Sequence, residues 1–563
     1  MSHTFFAKHE STLSKALNAI QTRGYWSLFN EMPSPRAYGE TAAGDGEAAF
    51  KATLNSYFEI GQPGTEGEVG KEVSPFGLQL SIKYPRANLE TLLDAASAAL
   101  KDWRRAGPQA WVGISLEIIE RLNASSFEIA HSVMHTTGQA FMMAFQAGGP
   151  HAQDRALEAV AYAWNQLKDI PATAYWEKPQ GNGSPLTMEK HFSVVPRGIG
   201  LVIGCCTFPT WNSYPGLFAD LATGNVVVVK PHPAAILPLA ITVRIARKVL
   251  SEAGFDPNIV TLLATDPGDG DFMQKLVVRP DVKIIDFTGS TSNGAWIEEH
   301  ARQAQIYTEK AGVNQIVIDS VEDMKIVARN IAFSLSLYSG QMCTAPQNIY
   351  VPRDGIPTAN GRISFDEVAA SLRDAVETLL GDPAKAVELT GAIQNVGILE
   401  RIESARALGK LVLDSKVLTH PLFPDAVVRT PLIAKLDVSD AATYLNEWFG
   451  PVSFIVATDS THHSLALASR TAASKGALTL SVYSTDKSVI DEAIEASIDG
   501  QVALSINLTG GVFVNQSAAF SDFHATGGNP AANASLTDPA FVANRFRVVQ
   551  RRQHIAQRAQ VPV

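Results

Sequence analysis

Four short apolar runs, GIGLVIGCC (198–206), NVVVVKP (225–231), IVTLLAT (259–265) and VKIIDFTGS (282–290), are separated by segments of helical periodicity such as LAITVRIARKVLSEAG (239–254). A strand that is apolar along its whole length must be covered on both faces, so this alternation predicts a parallel sheet packed between helices. A second alternation begins at NQIVIDS (314–320), continues through the helix-like VEDMKIVARNIAFSLSLYSG (321–340) to QNIYVPRDG (347–355), and runs to about residue 508. The fold class expected is α/β with two open, Rossmann-like parallel sheets. A nucleotide is the commonest guest at the carboxyl ends of such strands.

The 563 residues exceed what one core supports, and two large domains with extensions are expected. Residues 1–90 mix helix-like pieces with a loop-like segment, GQPGTEGEVGKEVSPFG. From Asn88 the run LETLLDAASAALKDWRRAG is helical and closes on a glycine. The polar, irregular stretch at 171–196 suits a projecting arm, and FVANRFRVVQRR near the end reads as a strand with outward charges.

A net charge of −10 leaves nothing broad and basic to neutralise phosphates, which argues against a nucleic-acid or anionic-membrane binder. Three cysteines, Cys205, Cys206 and Cys343, make no disulfide framework and no zinc spacing. The chain reads as soluble and cytoplasmic.

Cys343 lies in YSGQMCTAPQNIYV, between a helix-like run and a strand-like one, where a side chain is readily exposed to a cleft. Burial as a small hydrophobe is the alternative for any lone cysteine. In FTGSTSNG (287–294) a strand ends at Gly289 and Ser290 opens a helix, an arrangement that favours a phosphate and that a simple capped turn also explains. The Gly198, Gly200, Gly204 spacing is one residue off the dinucleotide fingerprint and carries no such reading. Lys230 ends a buried strand at the expected cofactor edge. Glu309 in IYTEKAGVN and Glu447 in LNEWFGPV are turn-proximal acids of a kind that is usually solvated. No histidine stands in a motif that pairs it with Cys343.

Taken in order, GNVVVVKP, FTGSTSNG, the acid before a Gly turn, GQMC and EWFGPV resemble the aldehyde dehydrogenase superfamily over roughly residues 90–550. The resemblance implies an N-terminal extension (1–90), a nucleotide-binding domain (91–310) carrying an oligomerisation arm (172–196), a catalytic domain (311–508), and a return to the first domain with a C-terminal oligomerisation strand (509–563). It implies a homodimer or homotetramer. It casts Cys343 as the nucleophile and Glu309 as the base that activates water. Lys230 and Glu447, with Phe449 beside it, would grip the cofactor riboses, and Gly289 and Ser290 would meet the pyrophosphate.

Three departures from the family pattern stand out. Thr207 occupies the place of the usual oxyanion-donating Asn, with Asn212 five residues later, so either could supply the donor, and the amide of Asn212 is favoured. Pro233 replaces the acid that selects NAD, which together with His232 favours NADP while leaving NAD possible. FHATGGNP (523–530) replaces the usual Pro-Phe-Gly-Gly and alters the substrate funnel. These departures look like the PaaN-type subgroup of phenylacetic acid degradation, whose relatives act on semialdehydes carried on coenzyme A. The reaction implied is NAD(P)-dependent oxidation of such an aldehyde to an acid. A CoA-acylating dehydrogenase and a non-catalytic oligomeric binding protein are the alternatives.

Overall fold

The computed structural model describes residues 2–555 apart from Asn182, Ser184, Gly270 and Ala311. The first alternation forms a five-stranded, wholly parallel sheet in the order Val260–Leu262, Val226–Lys230, Ile199–Ile203, Val282–Gly289, Gln305–Lys310. The order reverses between Ile199–Ile203 and Val282–Gly289, and the carboxyl ends there form the crevice in which such sheets hold ligands. Val226 to Val229 are fully buried, each side chain stabilising the fold by about 1.5–3 kcal/mol over its exposed state.

The second alternation forms a seven-stranded sheet in the order Lys410–Leu413, Leu432–Asp437, Val452–Thr458, Pro346–Pro352, Asn314–Ile318, Thr479–Tyr483, Ala503–Ile506. All its pairs are parallel except that of the edge strand Lys410–Leu413. Successive side chains go to opposite faces of a strand. Ile316, Ile318, Ile349 and Val351 accordingly enter one core, and Val317 and Tyr350 enter the other.

Helix Leu89–Ala106 starts at Asn88, whose side chain accepts the Thr91 N–H, and stops at Gly107, where φ is +81°. The first ninety residues are built into the molecule. Leu13, Ala16, Phe50 and Phe58 join the core of the five-stranded sheet, and a strand, Thr65–Val69, runs through the stretch expected to be a loop. The irregular stretch at 171–196 forms two antiparallel strands, Thr173–Lys178 and Leu186–Pro196, with Phe546–His554 paired on the far side of the second.

The glycines of the off-register spacing make room for packing. A Cβ on Gly200 would lie 2.0 Å from an Asp220 carboxylate oxygen, and one on Gly204 would meet Leu239 and Ser213. Asp220 and Asp286 close on the fully buried Arg545 at 2.8 and 2.6 Å, fastening the tail of the chain beneath the five-stranded sheet.

Candidate active site

Cys343 is delivered by a turn rather than by a regular element. Helix Met324–Ser336 ends, and Tyr338, Ser339 and Gly340 take left-handed angles, with φ of +51°, +48° and +61°. Each such angle costs a non-glycine residue about 1–2 kcal/mol and persists only where the surroundings enforce it. Here the Tyr338 hydroxyl donates to the Thr137 carbonyl, and Ser339 Oγ to those of Thr390 and Arg429 at 3.1 and 2.8 Å. At Gly340 a Cβ would sit 2.5 Å from the Gly450 carbonyl oxygen, so glycine is required. Cys343 follows, part-buried, just before strand Pro346–Pro352 at the amino edge of the seven-stranded sheet.

Glu309 sits near the end of Gln305–Lys310, an edge strand that would expose unpaired backbone. The segment 531–533 covers that edge: Lys310 N donates to the Ala531 carbonyl at 2.6 Å, Asn533 N to the Thr308 carbonyl at 3.1 Å, and Thr308 N to Asn533 Oδ1 at 2.8 Å. The chain then passes to Asn314 at the amino edge of the second sheet. The carboxyl edge of one sheet thus meets the amino edge of the other, and Glu309 and Cys343 face each other across the junction.

Glu309 is buried and surrounded by donors. Asn212 Nδ2 donates to Oε2 at 3.2 Å, and His524 Nε2 lies 3.1 Å from Oε1. A nitrogen of His524, Cys343 Sγ and a Glu309 carboxylate oxygen all lie within 4.8 Å of one another. Burial opposes ionisation of Glu309, but His524, the Cys343 thiol and Asn212 outweigh it and hold the carboxyl below its ordinary value. Loss of solvent, and then the carboxylate alongside, push the Cys343 thiol well above its own.

Asn212 comes from the first turn of helix Pro209–Ala222 and accepts a weak bond from Cys205 Sγ at 3.6 Å. Thr207 is on the approach to that helix, with its hydroxyl toward Cys205 Sγ at 3.9 Å and its carbonyl held by Gln139 Nε2 at 2.8 Å. Of the two candidate donors, Asn212 is the one that touches Glu309. Beside it is a cavity of about 20 Å³, room for one water, lined by Asn212, Thr288, Thr308, Glu309 and Tyr307.

The remaining candidates form two further groups. Lys230, His232, Gly289 and Ser290 lie along the carboxyl edge of the five-stranded sheet. The Lys230 ammonium is buried with one hydrogen bond among the described residues, to the Pro231 carbonyl at 3.2 Å. Burial lowers it to about 8, with Asp269 acting the other way. His232 is exposed, and its Nδ1 accepts the Ala234 N–H at 3.1 Å. Ser290 caps helix Thr291–His300 by accepting the Asn293 N–H. Glu447 and Phe449 occupy the loop before Val452–Thr458, and no hydrogen bond or ion pair joins Glu447 to Lys230 among the described residues. Burial raises Glu447 to about 7, with Arg401 opposing.

The model of the aldehyde dehydrogenase family matches residues 69–531. The chain belongs to that family. As a family member it is an oxidoreductase acting on aldehydes. A solved structure described as an NAD-dependent aldehyde dehydrogenase from Burkholderia multivorans is 69% identical over 99% of this chain and 100% of that one, with a TM-score of 0.98. The 1-pyrroline-5-carboxylate dehydrogenase of Geobacillus thermodenitrificans (strain NG80-2) is 25% identical over 452 residues, 78% of this chain and 81% of that one. The fold is shared with a 1-pyrroline-5-carboxylate dehydrogenase from Thermus with bound NAD, at a TM-score of 0.72, 19% identity, and coverage of 94% and 99%.

Two residues at the centre of this aldehyde dehydrogenase escape a reading of the sequence. His524, which stands in no motif that pairs it with Cys343, faces both Cys343 and Glu309. Its one signal is the substitution of FHATGGNP for the family's usual loop. Asn314 opens an apolar strand as one more polar boundary residue, yet its Nδ2 donates to the carbonyls of Cys343 and Ala345 at 2.7 and 3.1 Å.

Proposed function

We propose that the chain oxidises an aldehyde to a carboxylic acid through a thioester on Cys343. The observation that carries this reading is the convergence of Cys343, Glu309 and Asn212 from three separate segments on one junction. Cys343 Sγ adds to the aldehyde carbon as its proton passes to Glu309, and the oxyanion is stabilised by the Asn212 amide. When bound, a nicotinamide accepts the hydride that leaves this carbon. Glu309 passes the thiol's proton on to solvent and, again a carboxylate, takes a proton from water as the hydroxyl adds to the thioester and the Cys343 thiolate departs. A base placed beside Cys343, which acyl transfer to coenzyme A does not need, supports hydrolysis over that transfer.

Lys230, a buried cation with donors to spare, and Glu447, a half-buried acid on the loop before Val452–Thr458, fit the ribose hydroxyls of a dinucleotide, with Phe449 alongside. Ser290 and the backbone at Gly289 fit its pyrophosphate. NAD is supported by the description of the 69% identical relative. Pro233 offers no carboxylate to repel a 2′-phosphate, and His232 Nε2, without a hydrogen bond among the described residues, suits one, which supports use of NADP as well. The substrate we infer is a semialdehyde from aromatic-ring breakdown, possessing in some cases a coenzyme A tail; it rests on the likeness of the 520–550 segment to the PaaN-type pattern. Exposed Tyr175, Leu186, Val548 and Val549 on the three-stranded ribbon support assembly into dimers or tetramers of a cytoplasmic protein.

The test is to follow nicotinamide reduction with NAD and NADP over a panel of aldehydes, with and without coenzyme A. Reduction without coenzyme A is expected. Strict dependence on it would mean acylating chemistry, and no reduction by any aldehyde with no cofactor-induced rise in Tm would mean a binding protein.

A further inference from the structure

The juxtaposition of a thiol, an imidazole and a carboxylate goes beyond what aldehyde oxidation requires. We propose that Cys343 Sγ, Glu309 Oε1 and His524 Nε2 form a site for a borderline-soft divalent cation, Zn²⁺ being the type, and that filling it switches the enzyme off.

Thiolate, imidazole and carboxylate are the three side-chain ligands zinc takes, and three protein ligands with an open fourth position make the usual reactive site. At bond lengths of roughly 2.0–2.3 Å, a tetrahedral ion separates its ligand atoms by roughly 3.3–3.6 Å. Nε2 and Oε1 already stand 3.1 Å apart, and the sulfur lies within 4.8 Å of both residues' ligand atoms, so closing on an ion takes movements on the order of 1 Å.

The surroundings suit the same assignment. A metal-binding histidine needs its other nitrogen held. His524 Nδ1 lies 3.4 Å from Ser517 Oγ, which itself accepts from Arg155 Nη2 at 3.1 Å, and the ring packs edge-on against Trp211 at 4.7 Å. Asn212 anchors Oε2 of Glu309 and leaves Oε1 for the ion. All three ligands are held by different segments, so the geometry does not depend on one mobile loop. On binding, the Cys343 thiol proton is released to solvent, the imidazole proton that Nε2 shares with Glu309 moves to Nδ1, and two anionic ligands balance the dication. Sγ and Oε1 are then both committed to the metal. Inhibition therefore rests on the proposed reaction, whereas binding does not.

The probe is Co²⁺ added to the metal-free full chain. One equivalent is expected to produce a thiolate-to-cobalt charge-transfer band that Zn²⁺ abolishes. In His524→Gln the affinity read from that band should fall at least tenfold. Zn²⁺ should inhibit aldehyde oxidation competitively with the aldehyde and reversibly on addition of EDTA. Its inhibition constant should rise at least tenfold in His524→Gln, each protein being compared with its own metal-free rate. Absence of the band from the unmodified chain overturns the proposal, as does equal affinity in His524→Gln, which would mean capture by Cys343 alone. If no aldehyde is oxidised but the band forms, the metal site stands and the proposed reaction falls.

Discussion

Asn314 ties the Cys343 turn to the neighbouring strand with one side chain: Nδ2 donates to the carbonyls of Cys343 and Ala345, while Oδ1 accepts from Leu478 N at 2.9 Å and Thr479 N at 3.1 Å. One of the four bonds is buried and three are part-buried, so water replaces them only in part when the amide is removed. Asn314→Ala should destabilise the fold by about 1–3 kcal/mol or more. The freed turn should also lower kcat by roughly a hundredfold, since displacements near 1 Å have that effect. Urea unfolding and steady-state kinetics check the two parts separately.

Glu309 touches the water-sized cavity and the thiol at once. Glu309→Gln keeps the volume and removes the base of both proton transfers, so formation and loss of the acyl group should each slow, the latter by about 10²–10⁴. Intact-protein mass spectrometry should then show the chain carrying the acyl mass after a single turnover. Steady-state turnover equal to the unmodified enzyme would remove Glu309 from the hydrolytic step.

Glu447 titrates at about 7, raised by burial. Its carboxylate form is the better acceptor for ribose hydroxyls, so the KM for cofactor should rise as pH falls through 7, and Glu447→Gln should flatten that profile. The sign for stability is the reverse. A folded value above the unfolded one means that, as pH rises from the ordinary carboxyl range toward 7, the unfolded chain loses this proton first and the folded state is penalised. Melting temperature against pH, with and without cofactor, reads both effects.

Arg545 is fully buried between Asp220 and Asp286, with Tyr307 and Phe541 rings against its guanidinium at 4.2 and 4.3 Å. Removing the cation alone strands two carboxylates in the interior. Arg545→Met should therefore destabilise by about 3–5 kcal/mol, and replacing both aspartates with Asn as well should recover part of the loss. The midpoint of urea unfolding is the measurement.

The two sheets were legible because apolar runs of strand length, separated by helical periodicity, admit few other folds. Cys343 was legible at its helix-to-strand junction, which the left-handed Tyr338–Gly340 turn creates. Glu309 was readable as an acid at a strand end, but not its burial, because the segment that covers its edge is more than two hundred residues away in the chain. His524 reaches the site on that same cover, through contacts with no local pattern to announce them. Arg545 read as one of several outward charges on a terminal strand, since nothing nearby in the chain marks Asp220 and Asp286 as its partners.

The cover over the Glu309 strand is laid down by residues 531–533, and the bolt at Arg545 follows them. A ribosome working from the amino end therefore releases the thiol, the carboxylate and the amide long before it supplies the piece that seats them. Until that late segment emerges the nascent polypeptide holds the reagents without the arrangement that seats them.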